Sequence, residues 1–131
     1  MEKNSVFRKK SIGQVFTPEP LVKLILDFVG YAGSSVSQKH IIDNSCGEGA
    51  FLAEAVHRYC KHFLAHSQNK SRLKQELATY IHGIEIDGYT HTRCLQHLDS
   101  VARSYGLGDV RWDVLHDNAL RVTHFDGRMD F

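Results

Sequence analysis

The segment Asp43-Asn44-Ser45-Cys46-Gly47-Glu48-Gly49-Ala50-Phe51-Leu52 restricts the fold of this chain more than any other. It follows His40-Ile41-Ile42, a short run rich in β-branched residues, and leads straight into Phe51, Leu52, Ala55, Val56, Tyr59 and Phe63 at helical spacing. A strand, a tight glycine turn and a helix are predicted in that order. Gly47 and Gly49 let the backbone come close to a ligand, and the first turn of the helix offers amide groups that lack intrahelical acceptors. The spacing is not that of a dinucleotide loop. Leu52 stands where the third glycine of G-x-G-x-x-G belongs, and the acid, Asp43, precedes the loop instead of following it. An acid at a strand tip suits a positively charged ligand group, such as an amino group or a sulfonium.

The same grammar recurs downstream. Residues 80–86 form an apolar run that predicts a second strand, stopped by Asp87-Gly88. Cys94, Leu95, Leu98, Val101 and Ala102 mark a helix ended by Gly106 and Gly108, and residues 110–115 predict a third strand. Residues 67–71 are polar and read as a connection, with a short helical turn at 73–78. Ahead of the first strand, Leu21, Val22, Ile25, Leu26, Phe28 and Val29 predict a helix, with Thr17 as its cap, Pro18 in its first turn and Glu19 at its positive end. Alternating strands and helices of this length predict an α/β domain: a parallel sheet with helices on both faces, joined by right-handed crossovers. In open sheets of this kind ligands sit beyond the carboxyl ends of the strands, where Asp43, Glu85 and Asp117 all fall. A carboxylate such as Glu85, at the end of its strand, can accept both hydroxyls of a ribose.

Gly13-Gln14-Val15-Phe16-Thr17-Pro18, Asp43 to Leu52, Gly83-Ile84-Glu85-Ile86-Asp87 and Asp117 resemble, in that order, motifs X, I, II and III of the amino-group DNA methyltransferases of bacterial restriction-modification systems. The order is that of the gamma subgroup, which usually modifies adenine N6 and includes fused type IIG enzymes. The resemblance spans residues 12–131. It implies a Rossmann-like fold binding S-adenosyl-L-methionine, represented by its first three strands and the start of a fourth. Residues 1–12 are expected to be a polar, basic arm and residues 13–131 the N-terminal part of the cofactor-binding domain.

Carried over by position, the resemblance puts Phe16 and Thr17 at the methionine end of the cofactor and makes Asp43, Gly47 and Gly49 its floor. Glu85 would take the ribose, Ile86 would pack on adenine and Asp117 would accept from the adenine amino group. Cys46 and Asn118 complete the expected cofactor-binding set. The chain departs from the pattern in having Asn44-Ser45 where Pro-Ala is frequent, Gly88 where proline commonly ends motif II, and Asn118-Ala119 where an apolar side chain often covers the adenine. The catalytic loop of such enzymes, (N/D)-P-P-(Y/F), is expected beyond Phe131, since Pro18 and Pro20 are the only prolines. No residue of this chain is therefore expected to be catalytic. Double-stranded DNA is expected to engage a later part of the protein, and an exposed sheet edge is expected to favour self-association.

Composition narrows the alternatives. With 131 residues, 42% of them apolar, the chain suits one small soluble domain. A net charge of +1 gives no strongly attractive field for nucleic acid, and the clusters Arg8-Lys9-Lys10 and Lys70, Arg72, Lys74 read as solvated faces. Cys46, Cys60 and Cys94 are odd in number and form no C-x-x-C pair, which suits reduced thiols and a cytoplasmic setting. No membrane span is predicted, because Pro18, Glu19, Lys23 and Asp27 interrupt the first apolar stretch. His62 and His66 stand at i, i+4 without a placed partner ligand, and no metal is expected. Asp113 is the second choice for the motif III acid. Two other functions share the crevice: a methyltransferase of protein, RNA or a small molecule, and a non-catalytic binding module.

Overall fold

The computed structural model describes residues 17–125. The predicted strand, turn and helix are β1 (Ile41–Asp43) and α2 (Ala50–Leu64), preceded by α1 (Glu19–Phe28) and a 3-10 turn, Gly33–Val36, within the Ser-rich loop. There follow α3 (Lys70–Tyr80), β2 (Ile81–Glu85), α4 (Gly88–Ser104) and β3 (Asp113–His116). All strand pairs are parallel, in the order β1-β2-β3, with Ile41 opposite Ile81 and Glu85 opposite His116. This register brings the three carboxyl ends of the strands level with one another. The start of a fourth strand and the basic arm, like Phe16, lie outside the described residues.

Two local expectations are corrected. Thr17 does not cap α1: Pro18 holds the cap position in extended geometry, φ −60° and ψ 145°, without a side-chain cap bond. Its carbonyl takes the amides of Leu21 and Val22, and Pro20, not Pro18, occupies the first turn, where a missing N–H costs nothing. The helical turn at 73–78 is a full helix of 11 residues. It is nucleated by Asn69, in the stretch read as a connection, whose side chain accepts from the Arg72 amide at 3.1 Å.

Successive residues of β2 point to opposite faces of the sheet. Gly83 points to the helical side: a Cβ there would lie 2.6 Å from Leu52 Cδ1 and 3.1 Å from Cys46 Sγ. The helices α2 and α4 pack on each other over this side, as two successive right-handed crossovers require. On the other face His82 is fully buried against the ring of Phe125, 4.6 Å between centroids. Its Nδ1–H donates to the buried Asp113 Oδ2 at 2.7 Å, which leaves Nε2 to accept from His40 Nδ1–H at 2.8 Å. The assignment follows from the carboxylate, which can only accept. Both ring nitrogens of His82 and Asp113 Oδ2 thus have partners, as burial demands.

Arg58 fastens α1 to α2. Its guanidinium donates to Asp27 Oδ1 at 2.7 Å, to Glu54 Oε2 at 2.9 Å and to the carbonyls of Tyr31 and Lys23 at 2.9 and 3.2 Å. Val22 and Leu26 bury the inner side of α1, whereas Leu24, Phe28 and Val29 stay exposed at 63%, 90% and 60%.

Gly83 has no room for a side chain, since Leu52 is itself fully buried and cannot swing away. Gly83→Ala should destabilise the chain by about 1–3 kcal/mol through overpacking, read as a lower urea midpoint. An unchanged midpoint would show that the helix gives way at no cost.

Candidate cofactor site

The carboxyl ends of β1, β2 and β3 meet around Glu85, which is 2% exposed. Its Oε1 accepts from the Gly47 amide at 2.9 Å and its Oε2 from the Asp87 amide at 3.0 Å, while its backbone carbonyl accepts from the Asp117 amide at 3.2 Å. One residue thereby holds the loop after β1, the tail of β2 and the tip of β3. Both carboxylate oxygens are thus engaged by backbone amides of the strand-end loops.

The glycine loop is fixed from several sides. The Cys46 amide donates to the Ile84 carbonyl at 3.0 Å, and the Gly49 amide returns to the Cys46 carbonyl at 2.9 Å. Gly47 and Gly49 adopt φ of +57° and +89°, a region open to glycine and strained for other residues. Gly49 has a second constraint, because a Cβ there would approach Cys94 Sγ to 2.9 Å. Cys46 and Cys94 are both buried, with sulfurs 3.9 Å apart. The contact with Cys94, followed by burial, pushes the Cys46 thiol well above its ordinary range. A thiol so held is a packing group, not a nucleophile.

Asp43 stands at the end of β1, half-buried, with Oδ1 accepting from the Ser45 amide at 3.2 Å. Burial raises its pKa above the usual 3.8; the Ser45 N–H opposes the shift and the Glu85 carboxylate adds to it. Two acids thus face one space, which favours a cationic occupant. Beside them Ile86 is 58% exposed, an apolar side chain held in the open at the strand tip. Asp117 is exposed and its Oδ1 accepts from the Asn118 amide at 2.6 Å, while Asn118 Oδ1 accepts from the Leu120 amide at 3.0 Å. Thr17 lines a cleft of about 480 Å³ between α1, α2 and α4, together with Ala50 and Ala53 of the helix that follows the glycine loop.

The expected residues from Asp43 to Asn118 therefore gather at one end of the sheet, and Thr17 lies beside the first turn of α2. Asp113 does not join them: it sits at the opposite end of β3, bonded to His82. Trp112 is half-buried and donates Nε1–H to Asp99 at 2.7 Å. His62 and His66 meet edge to face, and no group of three potential metal ligands occurs among the described residues. Sequence reasoning missed Cys94, which sets the space at Gly49, and two histidines, His91 and His116, that brace the β2 tail. Cys94 was legible only as a core position of α4; nothing local linked it to the loop.

Asp43 gives a pH signature. Its folded pKa is raised, so its contribution to stability is fully present below the ordinary 3.8 and is lost as pH rises through the raised value. Asp43→Asn should therefore melt above the parent chain at neutral pH, and the difference should vanish on acidification below 3.8. Equal melting temperatures at neutral pH would deny the burial strain on this carboxylate.

Comparison with known proteins gives the family and the fold. A sequence model of the family described as N-6 DNA Methylase matches residues 1–130. The chain is 30% identical over 103 residues to the type II methyltransferase M.BstVI of Geobacillus stearothermophilus, covering 76% of this chain and 18% of that protein. It is 31% identical over 75 residues to the type II methyltransferase M.XhoI of Xanthomonas vasicola, covering 56% of this chain and 14% of that protein. Both relatives are thus several times longer than the chain. Among solved structures, a modification subunit of a putative type I restriction enzyme from Vibrio vulnificus YJ016 superposes with a TM-score of 0.53 at 21% identity, over 93% of this chain and 23% of that one. A nuclease-deletion mutant of the type ISP restriction-modification enzyme LlaGI, in complex with a DNA substrate mimic, gives 0.57 at 16% identity, over 88% and 11%. At these identities the structures speak for the fold alone.

Proposed function

The chain belongs to the N-6 DNA methylase family, and from that premise we propose that it forms the S-adenosyl-L-methionine-binding front part of an adenine-N6-specific DNA methyltransferase of a restriction-modification system. The observation that carries the proposal is the pair of carboxylates, Asp43 and Glu85, at the tips of adjacent parallel strands, above a loop whose two glycines have positive φ. The residues fit the cofactor by chemistry. Asp43 offers negative charge to a cationic methionine end, Glu85 brings a carboxylate to the strand tip where a ribose is expected, and exposed Ile86 offers an apolar surface to a purine. Phe16 and Thr17 are assigned to the methionine end, Gly47, Gly49 and Cys46 to the floor, and Asp117 with Asn118 to the adenine edge.

When bound, S-adenosyl-L-methionine supplies an electrophilic methyl group on a sulfonium. The residues of this chain bind and orient; none is assigned to the transfer itself, because the sequence contains no P-P-(Y/F) loop. That loop and the DNA-reading part are assigned to the longer protein, with double-stranded DNA as partner. The relatives named as type II methyltransferases favour this reading over a protein, RNA or small-molecule methyltransferase. Three free, buried cysteines fit a reducing cytoplasm, and no described helix is long and apolar enough to cross a membrane.

Calorimetric titration with S-adenosylhomocysteine tests the site. Glu85→Ala removes an acceptor that also braces the loop, and affinity should fall about ten- to a hundredfold, the scale of hydrogen bonds to a charged group. An isotherm identical to that of the parent would take Glu85 out of the site.

The chain is also proposed to self-associate. Leu24, Phe28 and Val29 are exposed apolar side chains, and Val29 lines a groove with Leu26, Ile41, Ile42 and Phe51 beside β1, which is an edge strand among the described residues. Sedimentation velocity should show concentration-dependent association that Phe28→Glu weakens. A species that remains monomeric across the concentration range would end this proposal.

A further inference from the structure

His116 immediately precedes Asp117, ends β3 and faces Glu85 in the register, yet its side chain reaches past that residue. Its Nε2–H donates to the Ile86 carbonyl at 3.1 Å. Its ring lies against Gly88, where a Cβ would come within 3.2 Å of Cε1 and 3.5 Å of Nε2. The imidazole of His91, in the first turn of α4, stacks on it at 5.5 Å and donates its own Nε2–H to the Val114 carbonyl at 2.7 Å. Two rings thus fasten residues 86–91 to the end of β3. The fastened segment carries Ile86, whose side chain is 58% exposed at the strand tip.

We propose that His116 is a positioning residue for the purine wall: it holds the Ile86 backbone so that the Ile86 side chain stands toward the ligand, and its ring occupies the space that a side chain at position 88 would take. The inference rests on the cofactor reading above and adds to it a residue outside the motifs. It also accounts for glycine where motif II commonly ends in proline. Asp87 has φ −88° and ψ 120°, an extended geometry that a following proline tolerates, and residue 88 opens α4, where proline is favoured. The backbone would accept proline there, but its Cβ would crowd the imidazole of His116 at 3.2 Å and force that ring to give by a few tenths of an ångström. His116 and Gly88 are therefore one paired choice.

The test combines ligand binding with melting. His116→Ala should weaken S-adenosylhomocysteine binding about three- to tenfold, the scale of one hydrogen bond, and His116→Gln, whose amide can donate to the same carbonyl, should recover binding to within about twofold of the parent. In an Ile86→Ala background His116→Ala should cause no further loss, because its effect passes through that side chain. Gly88→Pro should lower the melting temperature with His116 present and not when combined with His116→Ala. Losses at His116 and Ile86 that simply add, unchanged binding by His116→Ala while Glu85→Ala weakens it, or free tolerance of Gly88→Pro beside His116 would each overturn the proposal. If the parent chain binds no S-adenosylhomocysteine, the cofactor reading fails, and the role of His116 in it fails too. The melting comparison still decides the steric pairing by itself.

Discussion

The buried carboxylate of Glu85 is the joint on which the crevice depends. Removing a charge from water is costly unless donors replace the lost solvent, and here the backbone amides of Gly47 and Asp87 do so. Neither donor is free to move without exposing that cost. The loop after β1 and the tail of β2 are thus held at a fixed separation, and the Asp117 amide on the Glu85 carbonyl brings β3 into the same knot. The acid expected to meet ribose is also the acid that assembles the place where ribose would sit. Its negative charge has a second effect, since it adds to burial in raising the pKa of Asp43. A cationic occupant would relieve strain of this kind, so selectivity there would come at the expense of stability.

Packing beneath the knot is as exacting as the hydrogen bonding above it. Gly83 lets Leu52 and Cys46 rest on β2, and Gly49 lets Cys94 rest on the loop. Close approach of backbone to side chain at these two points sets the height of α2 and α4 over the sheet. Interiors of this density do not deform continuously, so an added methyl group at either point acts on the loop and not only on the core. The sulfur atoms suit the task because they are polarisable and fill irregular space.

Much of this architecture could be read from the chain. The β-branched run before Asp43, the glycines after it and the apolar spacing from Phe51 to Phe63 identify β1, the loop and α2, and the acids at 43, 85 and 117 follow from the strand ends. What could not be read depended on specific hydrogen-bond partners, some local and some far away in sequence, that residue type alone does not fix. Asn69 looks like any loop residue until its side chain takes the Arg72 amide, and a full helix then replaces a turn. The cap of α1 fell to Pro18 because two helical amides converge on its carbonyl, a competition that residue preferences for Thr17 do not register. Glu85 was legible as an acid at a strand tip, but its two amide partners lie on a different loop and on a turn that only the register brings together. His116 carried no signal at all, being a lone histidine at the end of a strand.

Two kinds of residue therefore divide the chain. Those that build the crevice, from Asp43 to Asp117, satisfy one another: the amides of Cys46, Gly47, Gly49, Asp87 and Asp117 all have acceptors within the same set. The geometry of the floor is locally determined and does not call on α1. Among the described residues helix α1 is held differently, through the guanidinium of Arg58 and the buried side chains Val22 and Leu26, with Phe28 left 90% exposed. Apolar side chains left this exposed add nothing to the free-energy gap between folded and unfolded chain, because they meet water in both. The stability of the domain and the shape of its crevice thus reside in different contacts. Thr17 is the point where the two meet, because it precedes α1 yet lines the cleft beside the first turn of α2. Any movement of α1 on its Arg58 anchor alters the wall at Thr17 while leaving Asp43, Glu85 and the glycines in place, so the wall at Thr17 is the adjustable side and the glycine loop the rigid one.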